Sequence, residues 1–421
     1  MADADSHIGK DVSRAMQPGG SLAPFRYPAF RAIWIANLAS NLGATMQSVG
    51  AAWEMTSLTS SHRMIALVQA STTLPIMLFG IFAGAIADNF DRRRIMLTSQ
   101  VGMLLVSAVL TAMTWLGWVK PWSLLLLTLA LGIGTALNSP AWQASVRQQV
   151  GMRDLPQAIA LNTISFNLAR TVGPALGGVL ISIWNVALAF FINTICRPAL
   201  VIVLLRWKPE ASSFDRRPML PAIAQGLRFC ALSSPIRRIL LRGMVLGFGV
   251  AGYQALLPAV ARNQLHGNEI EFGLMLGLFG IGSILAALVI SQARRRFGTE
   301  MVLTIATLSY VSAQLVLANA HTLLAALPAT LIAGAGWVAG LTTVNVSMQM
   351  RSPDEILGRC LSIYQAITFG GMALGSWFWG ALADWYSLPF ALHGAAAFMF
   401  VSLILMRLFV PMPAPEEGRI A

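Results

Sequence analysis

The stretch GIFAGAIADNFDRRR, residues 80–94, decides how the rest of the chain is read. Gly80 and Gly84 stand four apart on one face of an apolar helix, and Asp88 follows on that face one turn later. Small residues let a neighbouring helix approach closely. An acid at the end of such a face can pair with a cation or with the positive N-terminal end of another helix. A short loop then carries Asp91 and three arginines, Arg92, Arg93 and Arg94, and arginines beside an apolar helix mark the cytoplasmic side of a membrane span. These residues alone leave two readings open. One is a close-packed helix end with a topology signal; the other is a contact that forms and breaks between two helices.

The whole chain agrees with a membrane setting. It has 421 residues, of which 56% are hydrophobic and 11% charged, and its mean hydropathy is +0.67. A soluble domain carries about 25% charged residues. At roughly 20 apolar residues per span, the length accommodates about twelve helices. The net charge of +12 raises nucleic-acid binding as a possibility. Its distribution argues otherwise, because the basic residues sit at helix ends and form no polar domain. Residues 1–24 are polar and precede the first apolar run without a cleavage-type signal, so that run reads as a retained helix.

Apolar runs fall near 31–56, 64–88, 93–117, 121–145, 157–183 and 186–206, and after a polar stretch near 238–262, 269–291, 300–319, 322–349, 358–384 and 387–410. This divides the chain into a tail (1–24), a first six-helix bundle (25–206), a linker (207–237), a second bundle (238–410) and a tail (411–421). With the N-terminus inside, every lysine and arginine falls on the cytoplasmic side except Arg63, Lys120 and Arg262 in opposite loops and Arg170 and Arg197 within spans. That asymmetry places both termini in the cytoplasm. LFGI recurs at 78–81 and 278–281, and RRR at 92–94 and 294–296. The shared offset near 200 matches two parallel halves, one of the known transporter plans. In the linker, the prolines and basic residues read first as a solvated tether. PAIAQGLRFCAL is an alternative short helix on the inner leaflet, attracted by anionic membrane lipid.

With these residues in view, the 80–94 stretch resembles the loop between helices 2 and 3 of the major facilitator superfamily of secondary transporters. There Gly-x-x-x-Asp leads through a short spacer into glycine and paired basic residues. Gly84, Asp88, Arg92 and Arg93 fall on that pattern, and Asp91 stands where the family has glycine. NLARTVGPALGG, residues 167–178, is similar to the Gly-Pro-x-x-Gly-Gly motif in helix 5 of the superfamily's exporters. Gly173, Pro174, Gly177 and Gly178 match it, whereas Ala169 replaces an upstream glycine. The segments at 25–43, 87–94, 160–178 and 358–376 resemble the branch containing enterobactin exporters, with macrolide-efflux proteins a related comparison. The resemblance implies the twelve-helix major facilitator fold and ion-driven export of a small amphipathic metabolite, siderophore-like compound or drug across the inner membrane. One exporter feature is missing: Thr128 stands where many proton-coupled members carry arginine before Gly132-x-Gly134.

Polar groups within spans are costly in lipid and usually face protein or a cavity. Asn37, Asn41, Asn138, Asn167, Arg170, Gln254, Asn345 and Tyr364 are the candidate substrate contacts, on helices that line or flank the cavity in the family fold. Each amide can equally serve as interhelical glue. Arg170 lies near mid-depth in helix 5 with no acid at matching depth. Facing the cavity it favours a substrate bearing a catecholate or carboxylate, and the equal alternative is an arginine that ties helix 5 to backbone carbonyls beside the Pro174 kink. Arg197, in the peripheral helix 6, reads as a structural pair or a snorkelling exception. Glu54 and Asp384, near outer helix ends, are candidate proton sites or solvated charges. No nucleotide loop, paired-histidine zinc motif or serine elbow is present, and the cysteines and histidines have no ligand spacing. The expectation is therefore a monomeric carrier with a small-molecule substrate and a coupling proton, without enzyme activity, metal, cofactor or nucleic-acid partner. A membrane sensor on a transporter fold is the alternative.

Overall fold

The computed structural model describes residues 20–209, 219–353 and 356–413, with all their side chains except those of Ala85, Asp88, Met219, Leu220 and Ala222. Twelve α-helices account for these residues, and no strand occurs among them. The first six are α1 (Pro28–Leu58), α2 (His62–Asn89), α3 (Arg92–Trp115), α4 (Pro121–Ser145), α5 (Leu155–Ile183) and α6 (Val186–Arg206). A short α7 (Met219–Leu232) precedes α8 (Ser234–Ala259), α9 (Glu269–Asn319), α10 (Leu323–Gln349), α11 (Leu357–Trp385) and α12 (Leu388–Phe409).

Ten helices are long and apolar enough to cross a membrane. One of them, α9, has 51 residues and breaks at Gly298, whose φ of 79° is the left-handed region open to glycine, so it supplies two spans. The twelfth span is α1, long enough at 31 residues but diluted in hydropathy by Asn37, Ser40, Asn41, Gln47 and Ser48. The result is an all-α protein whose described helices supply twelve spans.

Helix ends follow local chemistry. Ser61, Asn185, Thr322 and Ser387 each cap the next helix by accepting a backbone N–H, and Asn268 with Glu271 forms a capping box on α9. At the departure from the family loop, Asp91 does the same. Its Oδ1 accepts from the N–H groups of Arg93 (2.8 Å) and Arg94 (3.4 Å) at φ −60°, so the turn into α3 needs no glycine. Residues 219–232 correct the tether reading of the linker. They form a helix packed on α2, α8 and α11, held by buried Cys230 and by Arg359 of α11, which donates to Gln225 at 2.8 Å. The physical cause is an apolar face on α7 that water alone would leave uncovered.

Each half of the chain is tied by arginines to helix C-termini. Arg92 donates to the Ala144 carbonyl at 3.1 Å, and Arg93 to the Leu204 and Leu205 carbonyls at 2.7 Å each. These are the ends of α4 and α6, where carbonyls lack intrahelical donors. In the second half Arg242 donates to the Met406 and Val410 carbonyls of α12 and to Glu300 at 2.8 Å. Contacts within 28–206 join α1 to α5 and α6, and α3 and α2 to α4; those within 234–409 join α9 to α10 and α12, and α8 to α11. Across the two sets, α2 packs on α11 and α5 on α9.

Candidate functional site

The two ends of the bundle differ, and the difference places the site. We call the end carrying Pro28 and Phe409 the termini face. At the opposite face, Trp53 of α1 is buried between the halves: its Nε1 donates to Glu269 at 3.0 Å, and its ring stacks on Phe272 at 5.5 Å. Arg262, on a π-helical extension of α8 (Val260–Gln264), lies 5.1 Å from the centroid of that ring and donates to Thr56 at 3.2 Å. Asp384 at the end of α11 accepts from Ser61 Oγ (2.6 Å) and from the backbone N–H groups of His62 (2.5 Å) and Arg63 (3.2 Å). Glu54 stands at the same end, in no side-chain hydrogen bond among the described residues.

The exporter motif makes one of these seals. A methyl group on Gly178 would stand 2.6 Å from Gly273 Cα and 2.8 Å from the Glu269 carbonyl, so α5 and α9 meet there backbone to backbone. Gly177 and Gly173 turn to α1 instead, against Met46 and Thr45. Pro174 lies inside α5, and Thr45 donates to the neighbouring Ala169 carbonyl at 3.1 Å. The α5–α9 contact runs through Ala175–Gly277 to Thr171–Gly280. One to three turns nearer the termini face, Asn167, Ile164 and Ala160 on α5 and Ile284, Ala287 and Ser291 on α9 are exposed. These positions lie beyond the last close approach of the two helices, at Thr171–Gly280.

Next to this crossing sits Arg170. Its guanidinium lies 5.6 Å from the centroid of the Trp337 ring of α10, a cation–π arrangement between a first-half and a second-half helix. It has no carboxylate partner among the described residues. Beyond Trp337, Tyr310 accepts from Gln254 at 3.5 Å and packs edge-on against Tyr253, 5.7 Å away. Gln254 also lines a small central cleft with Ser48, Gln69, Thr72 and Thr128. Thr72 and Thr128 satisfy their hydroxyls on their own helices. The cleft thus offers neutral polar groups, and Gln254 joins it to Tyr310.

The other sequence candidates are dispersed. Asn37, Asn41 and Asn138 are half-buried on α1 and α4. Asn167 is exposed on α5 and donates to Thr163 of its own helix, and Asn345 accepts from Gln349 of its own helix. Tyr364 is buried and bonds to the Leu341 carbonyl at 3.3 Å, which joins α11 to α10 away from the cleft. The side chain of Asp88 lies outside the described residues; Gly84 faces Ser362 of α11. Arg197 is buried and donates to Gln100 at 3.2 Å. Sequence reading missed Trp337 and Tyr310, which look like ordinary apolar-helix residues. It also missed a buried cluster in which Asn193 and Ser107 both donate to Gln47.

This architecture is that of a membrane carrier, and comparison with known proteins agrees. Residues 19–420 match the family model described as transmembrane secretion effector, and the chain belongs to that family of the major facilitator superfamily. It is 25% identical to the staphyloferrin A transporter of Staphylococcus aureus over 353 residues, 82% of this chain and 87% of that one. It is also 25% identical to the enterobactin exporter of Citrobacter koseri over 412 residues, 93% of this chain and 95% of that one. Among solved structures, the nucleoside transporter NupG superposes with a TM-score of 0.72 at 13% identity, covering 90% of this chain and 98% of NupG. A bacterial homologue of the lysosomal transporter Spinster, inward-facing and unoccupied, gives 0.69 at 15% identity, covering 93% and 96%. These two likenesses concern the fold.

Proposed function

We propose that this chain exports a small amphipathic anion of siderophore-like chemistry across the inner membrane, driven by the proton gradient. The observation that carries the reading is the Arg170–Trp337 contact beside the Gln254 cleft. A cation without an acid partner among the described residues favours an anionic group, and the aromatic surfaces around it favour a flat apolar body. Catecholate and carboxylate donors on an organic frame meet both demands. The named relatives, an enterobactin exporter and a staphyloferrin A transporter, support the siderophore class.

In this reading the halves 25–206 and 238–410 rock about the cleft, and the termini face is cytoplasmic. The arrangement with the opposite face sealed is then the inward-open state, able to take substrate from the cytoplasm. Asp88, at the cytoplasmic end of α2, helps to hold the halves together in the outward-open state. The carrier works as a monomer surrounded by lipid. Purified protein in liposomes loaded with enterobactin or staphyloferrin A provides the test. Substrate flux that rises with an imposed proton gradient and collapses with an uncoupler is expected. Flux that needs ATP and ignores the uncoupler would overturn the mechanism, and no flux of either compound would overturn the substrate class.

A further inference from the structure

We infer that Asp384 is a latch that holds the face opposite the termini shut, acting as a positioning residue in the transport cycle. Three N–H and O–H donors from the first turn of α2 converge on its carboxylate, at 2.6 Å (Ser61 Oγ), 2.5 Å (His62 N) and 3.2 Å (Arg63 N). The imidazole Nδ1 of His62 lies 3.3 Å from its Oδ1. The N-terminus of a helix carries orphan donors and a positive partial charge, and a carboxylate satisfies both. Here the acid comes from the other half of the chain, 323 residues away from Ser61. Its bonds therefore exist only while α2 and α11 are together at this face.

Two further features make the contact a designed one. A methyl group on Gly380, one turn before Asp384, would stand 2.7 Å from Ala66 Cβ and 2.9 Å from Arg63 Cα, so only glycine lets α11 reach the end of α2. The sequence around it, Gly380-Ala-Leu-Ala-Asp384, repeats that of Gly84-Ala-Ile-Ala-Asp88 at the end of α2. The two helices run antiparallel, and each ends in the same five-residue pattern at its own face. At the Gly84 end the packing is looser: a methyl group there meets only Ser362 Oγ, at 3.3 Å. The tight member of the pair is thus the one at the sealed face.

A carboxylate at this position is a gate rather than a carried proton site. It sits at the rim, capped while the cytoplasmic side is open, with no described path to the cleft. The other charged groups at this face are Arg63 on α2, Glu54 on α1, Lys120 before α4, Arg262 on the α8 extension, and Glu269 and Glu271 on α9. Among the described residues only His62 brings a side-chain nitrogen of a basic residue within 4.0 Å of it.

The inference rests on the alternating-access reading but on no particular substrate. The test uses the full chain in sealed vesicles of both orientations, with Cys196, Cys230 and Cys360 replaced by alanine and Ser48→Cys as a reporter in the cleft. A membrane-impermeant maleimide should label the parent from the termini face only. Asp384→Ala should raise labelling from the opposite face by on the order of tenfold, the effect of losing charge-assisted bonds that only one state makes. Asp384→Asn, which keeps an acceptor without the charge, should fall between, and Asp384→Glu should recover part of the seal. Ser61→Ala removes one donor together with the N-cap acceptor of α2 and leaves α11 untouched. Ser61→Asn, which can keep the cap, separates the two, so the pair reports on the latch even where the Asp384 variants fail to insert. Unchanged labelling from the opposite face in Asp384→Ala, or in Ser61→Ala where the former is absent from the membrane, overturns the inference. Absence of siderophore flux alongside the expected labelling would count against the proposed substrate and leave the latch standing.

Discussion

The guanidinium of Arg170 and the indole of Trp337 meet 5.6 Å apart, and through them a helix of the first half touches a helix of the second beside the central cleft. Among the described residues the charge is held by an aromatic face and by no acid. Its N–H groups consequently stay available for a ligand, while the ring lowers the cost of keeping a cation at mid-depth.

Replacing this arginine separates charge from shape. Arg170→Lys keeps the cation and loses the planar fork that stacks on the ring, and should slow export of an anionic substrate roughly threefold to tenfold. Arg170→Gln removes the charge and should abolish export nearly completely, with both proteins present in the membrane. Efflux measured at equal protein amounts decides the matter; equal transport by the glutamine variant would end the role.

Trp337 should follow a graded series. Phenylalanine presents a weaker quadrupole in the same plane, so Trp337→Phe should lose about threefold in flux, and Trp337→Leu about tenfold or more. Identical losses in the two variants would mean that volume, and not the aromatic face, is what Arg170 requires.

Gly178 and Gly80 predict opposite outcomes for one added methyl group. In Gly178→Ala the new carbon meets backbone at 2.6 Å, where nothing can rotate away. Overpacking of this kind costs about 1–3 kcal/mol, and it falls on the closed arrangement of α5 and α9. The variant should insert normally and transport at less than about a tenth of the parent rate. Gly80→Ala meets only Ile76 Cγ2 at 3.8 Å and should transport normally. A thermal-stability scan alongside flux separates a blocked cycle from a damaged fold.

The two acids of the 80–94 stretch should behave differently. Asp91 caps α3, so Asp91→Ala should lower stability by about 1 kcal/mol and leave transport largely intact. Asp88→Asn should leave stability alone and slow transport, with greater cytoplasmic-side accessibility of introduced cysteines. A normal transport rate in well-expressed Asp88→Asn would reduce that acid to a packing or topology element.

Much of this protein is written in its sequence because lipid makes the code simple. Apolar runs of span length, arginines gathered at alternate ends and the Gly84–Asp88 and Gly173–Gly178 patterns lead to an all-α carrier, since a backbone in hydrocarbon must bond internally. Even the break at Gly298 falls between two runs that the sequence separates. The site is another matter. Arg170 can be singled out by its depth in α5, but its partner cannot, because one tryptophan among twelve carries no mark of facing a cation 167 positions earlier. Tyr364 and Asn167 have the same polar signature as Gln254, yet one bonds within the second half and another to its own helix. Asp384 reads as a proton site or a solvated helix-end charge until α2 is set against α11. A helix fixes which residues share its face; only the packing of one helix on another decides what that face meets.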